Sequence, residues 1–230
     1  MMKKIEETDN EIVFITDLSE TLANSIRRYT NQIPILAIDE VEISRNDSAL
    51  YDEAIAHRLG LVPLKTEKSV NEKTTEKLKL NVSRDGLVYS GDLKGSVDVV
   101  YEKIPITTLS NEQELQLTAF ARAGRGSEHS KFSPGLVFYR NVSEITLDKD
   151  IYNEIKGIFP ENDAKEKGNK ITIIDNRKKE VLDFCEGAAS KRGKKAEVVT
   201  KNELVMTIES FGQIDADDIF KRSIDALRKD

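Results

Sequence analysis

The side chains best suited to catalysis or to binding a soft metal are few in this chain: two histidines, His57 and His129, and one cysteine, Cys185. The two imidazoles lie far apart in the sequence, and neither stands beside a serine or cysteine in a nucleophile signature. A catalytic role centred on His129 is the alternative to a capping or loop hydrogen bond, which is the more common role. One cysteine can form no internal disulfide and cannot hold an iron–sulfur cluster, which needs about four thiolates. We therefore expect no catalytic residues and no metal ion.

Two glycine-containing segments resemble phosphate-binding loops but do not complete the motifs. Gly124-Arg125-Gly126 lacks the third glycine of a dinucleotide fingerprint, and it lies in a stretch of alternating hydrophobicity. In the second segment five residues separate Gly187 from Gly193, where a P-loop has four. We expect neither segment to bind nucleotide phosphates.

The charge of the chain disfavours nucleic-acid binding. It carries 41 acidic and 35 basic side chains, a net charge of −6, whereas phosphate binding depends on clustered lysine and arginine. The densest basic run, residues 191–195, has no interleaved aromatic residue for base stacking. A nucleic-acid-binding accessory module that uses Arg122, Arg125 and this run is the alternative function.

No apolar run reaches the length of about 18 residues that a membrane span needs, and the first ten residues lack the apolar stretch of a signal peptide. We therefore expect a cytoplasmic protein.

The elements that must position these residues alternate as in an α+β protein. The apolar run Glu11–Thr16 predicts a strand, and Asp17 is the predicted N-cap of the helix that follows. Ser48–Leu59 predicts a second helix, with acidic residues near its start and basic residues in its last turn. From about residue 66 to 140 the hydrophobic period is two, which predicts a mainly β module with a strand at 97–101.

Each end of the chain also carries a helix with an apolar stripe. Spacings of three and four residues define one stripe near the start and another in a final helix capped by Asp215. Such stripes either close the core of a monomer or form an obligate interface with a partner, and periodicity alone leaves both readings open. The stripe residues are Leu22, Ile26 and Tyr29 in the first helix and Phe220, Ile224 and Leu227 in the last.

Five sequence blocks resemble the D-type subunit of archaeal RNA polymerase. That family includes the third-largest polymerase subunit of eukaryotes and is related to the amino-terminal domain of the bacterial alpha subunit. The matching blocks lie at both ends and in the middle of the chain, at residues 23–28, 35–43, 51–64, 126–134 and 209–212.

The resemblance implies a discontinuous dimerisation domain built from both chain ends, residues 1–45 and 201–230. It also implies an inserted mainly β domain at 46–141 and a ferredoxin-like insertion at 142–200. A chain of this kind performs no chemistry. It is a component of DNA-directed RNA polymerase, a nucleotidyltransferase complex, and serves there as a platform for assembly.

The implied partners are the small subunit L, which forms a heterodimer with the chain, the small subunits N and P, and the second-largest catalytic subunit. The two apolar stripes then become candidates for the surface that faces L. Arg27 and Arg28 match a basic pair that faces a large subunit in relatives. No contact with nucleic acid or membrane is implied.

The chain departs from relatives whose ferredoxin-like insertion holds clusters through C-x2-C-x2-C-x3-C-P spacings. When the final proline of this motif is aligned with Pro160, the four ligand positions are Lys149, Tyr152, Ile155 and Phe159. A second run can be anchored on Cys185, with Lys179, Leu182 and Ala189 in the other places. Because apolar side chains largely replace thiolates, we expect a ferredoxin-like shell without an iron–sulfur cluster.

Overall fold

The computed structural model describes residues 2–71, 73–158 and 164–229, and within them the chain forms twelve β-strands and five α-helices. The elements as far as β8 are β1 Met2–Glu7, β2 Glu11–Thr16, α1 Glu20–Tyr29, β3 Ile35–Asn46, α2 Asp52–Gly60, β4 Thr75–Val82, β5 Gly86–Tyr89, β6 Lys94–Gly95, β7 Pro105–Leu109 and β8 Leu115–Gly124. The remaining elements are β9 Gly135–Asp148, α3 Lys149–Ile155, β10 Ala164–Lys167, β11 Lys170–Asp175, α4 Leu182–Lys191, β12 Glu197–Ser210 and α5 Ala216–Leu227. This mixture of sheets and helices confirms the α+β class.

The chain divides into two compact units, and each is made of two separate segments. Unit 1 comprises Met1–Ser25 and Val137–Ile208, and unit 2 comprises Ile26–Leu136 and Glu209–Asp230. This division differs from the predicted domain bounds, because β1 and β2 join the same sheet as β9 to β12. The first strands of the chain therefore belong with the segment predicted to be ferredoxin-like, and the last helix does not.

Unit 1 contains a six-stranded sheet in the order β1-β2-β12-β9-β11-β10. Strands β9, β10 and β11 pair antiparallel, and α3 and α4 contact each other. Alternate residues of the strands turn to these helices, as the two-residue period of a strand requires. The resulting core contains Ile145, Leu147, Ile151, Ile155, Ile171, Ile173, Val181, Cys185 and Ala189.

Unit 2 contains a four-stranded sheet, β3-β8-β4-β6, and a two-stranded sheet of β5 and β7. Strand β8 buries every second residue from Leu115 to Ala123, which is the alternation predicted from the sequence. Helix α2 covers this core through Ile55 and Leu59, both fully buried. The same core includes Leu36 and Ile38 of β3, so the strand that follows α1 is anchored at its first residues.

Four local predictions were wrong for identifiable reasons. Residues 97–101 form no regular strand, only an isolated bridge between Val99 and Leu64. Helix α2 begins at Asp52 rather than Ser48, because the Asn46 side chain accepts a hydrogen bond from the Ser48 N–H (3.1 Å) and holds the preceding residues in a loop. The sequence also predicts a short strand at 196–199; a strand is present there, but it is the beginning of the 14-residue β12, so the predicted length was wrong.

The fourth concerns the start of α1: Ser19, not Asp17, caps it, since the Ser19 Oγ accepts a hydrogen bond from the Leu22 N–H at 3.3 Å. Helix α4 was not predicted. None of the helices in the described part of the chain is long and apolar enough to cross a membrane.

Candidate subunit interfaces

The two apolar stripes are divided between the interior of the chain and its surface. Ile26 is 3% exposed and Phe220 9% exposed, so both are already buried in the chain alone. Leu22 is 39% exposed, whereas Tyr29, Ile224 and Leu227 are partly exposed. Part of each stripe therefore closes the core, and part leaves apolar surface open to a partner.

A buried hydroxyl pair fixes α5 against the turn that follows α1. The Thr30 and Ser223 oxygens lie 3.0 Å apart, and the Ser223 hydroxyl also donates to the Ile219 carbonyl at 2.7 Å. Both residues are at most 2% exposed. This contact joins the buried face of α5 to the turn that follows α1.

Arg27 and Arg28 lie exposed in the last turn of α1. Positive charge at this end of a helix interacts favourably with the partial negative charge of its free carbonyls. The structure thus places both guanidinium groups within reach of another molecule.

The second candidate surface gathers residues from three of the sequence blocks. Leu61 is 56% exposed, Tyr101 46% and Phe211 39%, and they line one groove of about 340 Å³ with Pro63 and Lys131. A group of large apolar side chains at a surface often marks a contact site, whereas single exposed apolar residues are common and carry no such meaning. The blocks at 51–64, 126–134 and 209–212 therefore meet at one surface, which we call the Leu61–Phe211 surface and which sequence spacing alone could not reveal.

One main-chain and one side-chain hydrogen bond join the block at 126–134 to the segment at 209–213. The Phe211 N–H donates to the Pro134 carbonyl at 3.0 Å, and the Gln213 side-chain Nε2 donates to the Ser133 carbonyl at 3.4 Å. A Cβ at Gly135 would lie 2.0 Å from the Glu209 carbonyl oxygen, so only glycine fits this crossing. Contacts 70 or more residues apart in sequence are thereby fixed by backbone geometry.

Both histidines line a neighbouring groove of about 290 Å³ with Asp39 and Lys131. Their positions in the sequence did not predict that they would meet. The Nδ1 of His129 accepts a hydrogen bond from the Lys131 N–H at 3.1 Å and caps the short 3₁₀ turn Ser130–Phe132, which confirms the capping prediction. Among the described residues, no group of three or more His, Cys, Asp or Glu side chains is placed to hold a metal ion.

Asp39 is the centre of a charged network at the edge of this groove. It accepts hydrogen bonds from the Lys131 Nζ at 2.5 Å and the Arg122 Nε at 2.7 Å, and these contacts, with Lys131 first, hold the pKa of the Asp39 carboxyl below its usual range. Arg122 also pairs with Glu128 at 3.2 Å. Because its charge is already matched by two carboxylates, Arg122 is poorly placed to bind a phosphate, which weighs against the nucleic-acid alternative.

The network is built on a buried aromatic ring. Phe132 is fully buried, with the Arg122 guanidinium 4.8 Å and the Lys131 Nζ 5.1 Å from its ring centroid. Cations over an aromatic face are stabilised by the ring quadrupole. A Cβ at Gly124 would lie 2.7 Å from the ring, so the glycine that resembled a nucleotide motif makes room for Phe132 instead.

The segment predicted to be ferredoxin-like has a packed apolar core at the positions aligned with cluster ligands. Tyr152 and Ile155 lie on α3 and pack with Leu182, Cys185 and Ala189 of α4. The remaining aligned positions are Lys149 in the first turn of α3 and Lys179 ahead of α4, while Phe159 and Pro160 fall outside the described residues. Burial raises the pKa of the Cys185 thiol to about 12, so this side chain is protonated at neutral pH.

A buried carboxylate holds α4 in place. Asp175 accepts hydrogen bonds from the Arg140 Nη2 at 3.0 Å and from the Val181 N–H at 3.2 Å. Burial raises the pKa of the Asp175 carboxyl even though Arg140 lowers it. The beginning of α4 is thus tied to the sheet by the protein itself.

The basic run at 191–195 is partly neutralised by neighbouring acids. Arg192 pairs with Asp150 at 2.8 Å and with Glu154, and Lys194 pairs with Asp148 at 2.6 Å. These pairs tie the end of α4 to α3, which is a structural use of the charges. They support the prediction that this run is not a nucleic-acid platform.

Comparison with known proteins defines the class to which these surfaces belong. Residues 41–135 match the family model described as the RNA polymerase Rpb3/RpoA insert domain. The chain is 33% identical to DNA-directed RNA polymerase subunit Rpo3 of Thermococcus kodakarensis, over 99% of this chain and 93% of the relative. It is 31% identical to the same subunit of Archaeoglobus fulgidus, over 97% and 92% of the two chains.

A third relative, subunit Rpo3 of Methanothermobacter thermautotrophicus, is 31% identical over 97% of this chain and 93% of its own length. The chain therefore belongs to the family of the archaeal DNA-directed RNA polymerase subunit Rpo3. Its partners are other subunits of a multisubunit RNA polymerase.

Proposed function

We propose that this chain is a non-catalytic platform subunit of an archaeal DNA-directed RNA polymerase, and that it pairs with the small subunit L to nucleate assembly of the large catalytic subunits. The observation that carries this proposal is the division of the α5 stripe. Phe220 is buried while Ile224 and Leu227, on the same stripe, remain partly exposed. An obligate interface resembles a hydrophobic core that two chains form together. A stripe that is only partly buried within one chain is consistent with such an interface.

The same division assigns roles within the six predicted interface residues. Ile26 and Phe220 support the interface from inside the chain, since little of either side chain is left for a partner. Leu22, Tyr29, Ile224 and Leu227 supply the contact area.

The Leu61–Phe211 surface is the proposed site for further subunits, among them N, P and the second-largest catalytic subunit. Its exposed apolar side chains stand beside Lys131 and the histidine groove, and such an apolar centre with a polar edge is typical of subunit contacts. Arg27 and Arg28 remain the proposed contact to a large subunit, through charge on the exposed end of α1.

The proposal includes no reaction performed by this chain. The Nδ1 of His129 is engaged in a cap, the Cys185 thiol is buried and protonated, and Asp39 is paired with two cations. Each of these groups thus has a structural task, which supports an assembly role.

A ferredoxin-like domain without a cluster is part of the same proposal. The order β9-α3-β10-β11-α4-β12 is the β-α-β-β-α-β pattern of the ferredoxin-like motif, which supports this assignment. The apolar contacts between α3 and α4 occupy aligned ligand positions, including those of Leu182 and Ala189 in the second run.

Co-expression with a subunit L tests the proposal. We expect the two chains to co-purify and to elute together from a size-exclusion column at the mass of a one-to-one complex. A chain that stays monomeric and well folded in the presence of L would contradict it.

A further inference from the structure

A groove of about 800 Å³ lies in unit 2 beside α5, and none of its described lining residues belongs to the Leu61–Phe211 surface. Its walls are the end of α1, the loop that precedes β4, Arg125 and the second half of α5. The charged side chains that line it are Lys68, Lys73, Arg125, Arg222, Lys229 and Asp225. Among the described residues that line the groove, five cations face one carboxylate, in a chain whose net charge is −6.

Three of these cations have no counterion among the residues that the structure describes. Within residues 2–71, 73–158 and 164–229, the ion pairs of the chain include neither Lys73 nor Arg222 nor Lys229, whereas Lys68 pairs with Asp218 at 3.1 Å. Other arginines of the described chain are matched, as at Arg84 with Asp92 and Arg122 with Asp39. An unmatched group of like charges repels itself and gains free energy when an anionic partner binds.

The groove also has an apolar part, which we call its floor. It is lined by Tyr29, Ile33, Pro34, Val70 and Ala226, and the uncharged polar residues Gln32 and Asn71 line the groove as well. Apolar side chains form no hydrogen bonds or ion pairs with a phosphate backbone. Tyr29 is the one aromatic residue among the described lining residues, so successive bases could not stack here. Both features favour a polypeptide that carries acidic and apolar side chains.

The exposure of the cations argues against a small free anion. Lys68, Lys73 and Lys229 are exposed, and Arg125 and Arg222 are half-buried. Isolated ion pairs at such exposure contribute only about 0–1 kcal/mol each, so a single phosphate would gain little over water. An extended ligand that contacts several cations and the apolar floor at once gains from their sum.

We propose that this groove binds an acidic peptide segment of another protein, with its carboxylates against Lys73, Arg222 and Lys229 and an apolar side chain on the floor. The groove lies on a different side of α5 from the apolar stripe. Arg222, Asp225 and Ala226 line it, whereas Ile224 and Leu227 lie about half a turn away around a helix of 3.6 residues per turn. On α5 a partner can therefore occupy the groove while Ile224 and Leu227 are covered, and Tyr29 at the end of α1 is the one stripe residue that also lines the groove. The proposal thus goes beyond the heterodimer.

The test is fluorescence anisotropy on the full chain with a labelled peptide that repeats Glu-Glu-Leu, compared with a peptide that repeats Lys-Lys-Leu. We expect the acidic peptide to bind and the basic one not to bind. In the double variant Lys73→Glu and Arg222→Glu, we expect affinity for the acidic peptide to fall about tenfold or more, equivalent to about 1.4 kcal/mol. Raising the salt concentration from about 0.05 to 0.5 M should weaken binding to the wild-type chain, because screening shortens the reach of each charge.

The matched control is Lys191→Glu with Lys195→Glu, which makes the same change in net charge on exposed residues of unit 1. Unchanged peptide affinity in this control supports the groove, whereas an equal loss in both double variants would show a general charge effect and overturn the proposal. Tighter binding of a single-stranded oligonucleotide, lost in the Lys73 and Arg222 variant, would overturn it in favour of nucleic acid. Displacement of the peptide by an equal concentration of inorganic phosphate would overturn it in favour of a small anion.

The thermal midpoint of each variant is measured to test whether a loss of peptide binding results from unfolding. We expect it to be unchanged, because neither Lys73 nor Arg222 is buried. Co-purification with subunit L is measured separately on the same variant. Failure of the peptide assay with retained co-purification would overturn the groove alone, and loss of co-purification by the wild-type chain would overturn the proposed function alone.

Discussion

The hydroxyl oxygens of Thr30 and Ser223 lie 3.0 Å apart in the core, although 193 positions separate the two residues in the sequence. Each hydroxyl oxygen also lies within hydrogen-bond distance of the carbonyl oxygen four residues earlier. The distance is 3.3 Å from Thr30 to Ile26 and 2.7 Å from Ser223 to Ile219. This pair joins the segment after α1 to the last helix.

We expect Ser223→Ala and Thr30→Val each to lower the free energy of unfolding by about 1 kcal/mol, the usual effect of losing a buried hydrogen bond. The double variant should lose less than the sum of the two, because the interaction is shared. Urea unfolding of the four chains measures the coupling. Strictly additive effects would mean that the two hydroxyls do not interact.

Asp39 should make stability depend on pH in the acidic range. Because the Lys131 and Arg122 contacts lower the pKa of Asp39 from its ordinary 3.8, the folded chain holds this carboxylate ionised where the unfolded chain would protonate it. The contribution is therefore complete above about pH 4 and is lost as the pH falls through the lowered value.

Comparison of the wild-type chain with Asp39→Asn by urea unfolding, over about pH 2 to 7, isolates this effect. We expect a difference of up to about 1 kcal/mol at neutral pH that shrinks in acid, since the pair is partly exposed. A difference that grows as the pH falls would contradict the assignment.

Gly135 should tolerate no side chain. A Cβ there would lie 2.0 Å from the Glu209 carbonyl oxygen, and backbone atoms cannot move aside easily, so we expect Gly135→Ala to cost about 1–3 kcal/mol. The control is Gly187→Ala in α4, where the added Cβ meets nothing within 4 Å and should stabilise the helix by about 0.5–1 kcal/mol. Opposite shifts of the thermal midpoint are the expected result, and a neutral Gly135→Ala would contradict the close crossing.

The Cys185 thiol should be inert in the native chain. It is fully buried and its pKa is raised to about 12, so little reactive thiolate exists at neutral pH. We expect a thiol-specific reagent to modify it only after unfolding, and we expect purified protein to contain no stoichiometric iron or acid-labile sulfide. Iron at about four atoms per chain would show that the alignment of the ferredoxin-like segment is wrong.

Elements were easier to predict from the sequence than the contacts between them. Short-range signals succeeded where hydrophobic period and turn chemistry agreed. Strand β2 spans the predicted Glu11–Thr16. The dipeptide Asp85-Gly86 is a turn signal within the β module, and Gly86 there has a φ of +107°. Side-chain interactions overrode such signals elsewhere, as when Asn46 held residues before Asp52 out of α2.

The candidate surfaces depend on contacts that no local pattern encodes. Periodicity identified Ile26 and Ile224 as equivalent members of apolar stripes, yet one is buried and the other partly exposed. The meeting of His57 with His129, and of Leu61 with Phe211, follows from pairing across the chain. Resemblance to a family located the blocks, and the tertiary structure joined them.

The central claim is that the exposed part of the α5 stripe completes its core against subunit L, and the most direct test is co-purification of stripe variants with tagged L. Ile224→Asp and Leu227→Asp place a charge in the proposed interface without disturbing a fully buried residue, and Val199→Asp is the control on an exposed apolar residue of β12. We expect the Val199 variant still to co-purify with L in equal amounts, while the two stripe variants fold, by circular dichroism, but fail to retain it. Full retention of L by folded Ile224→Asp and Leu227→Asp chains would contradict the claim.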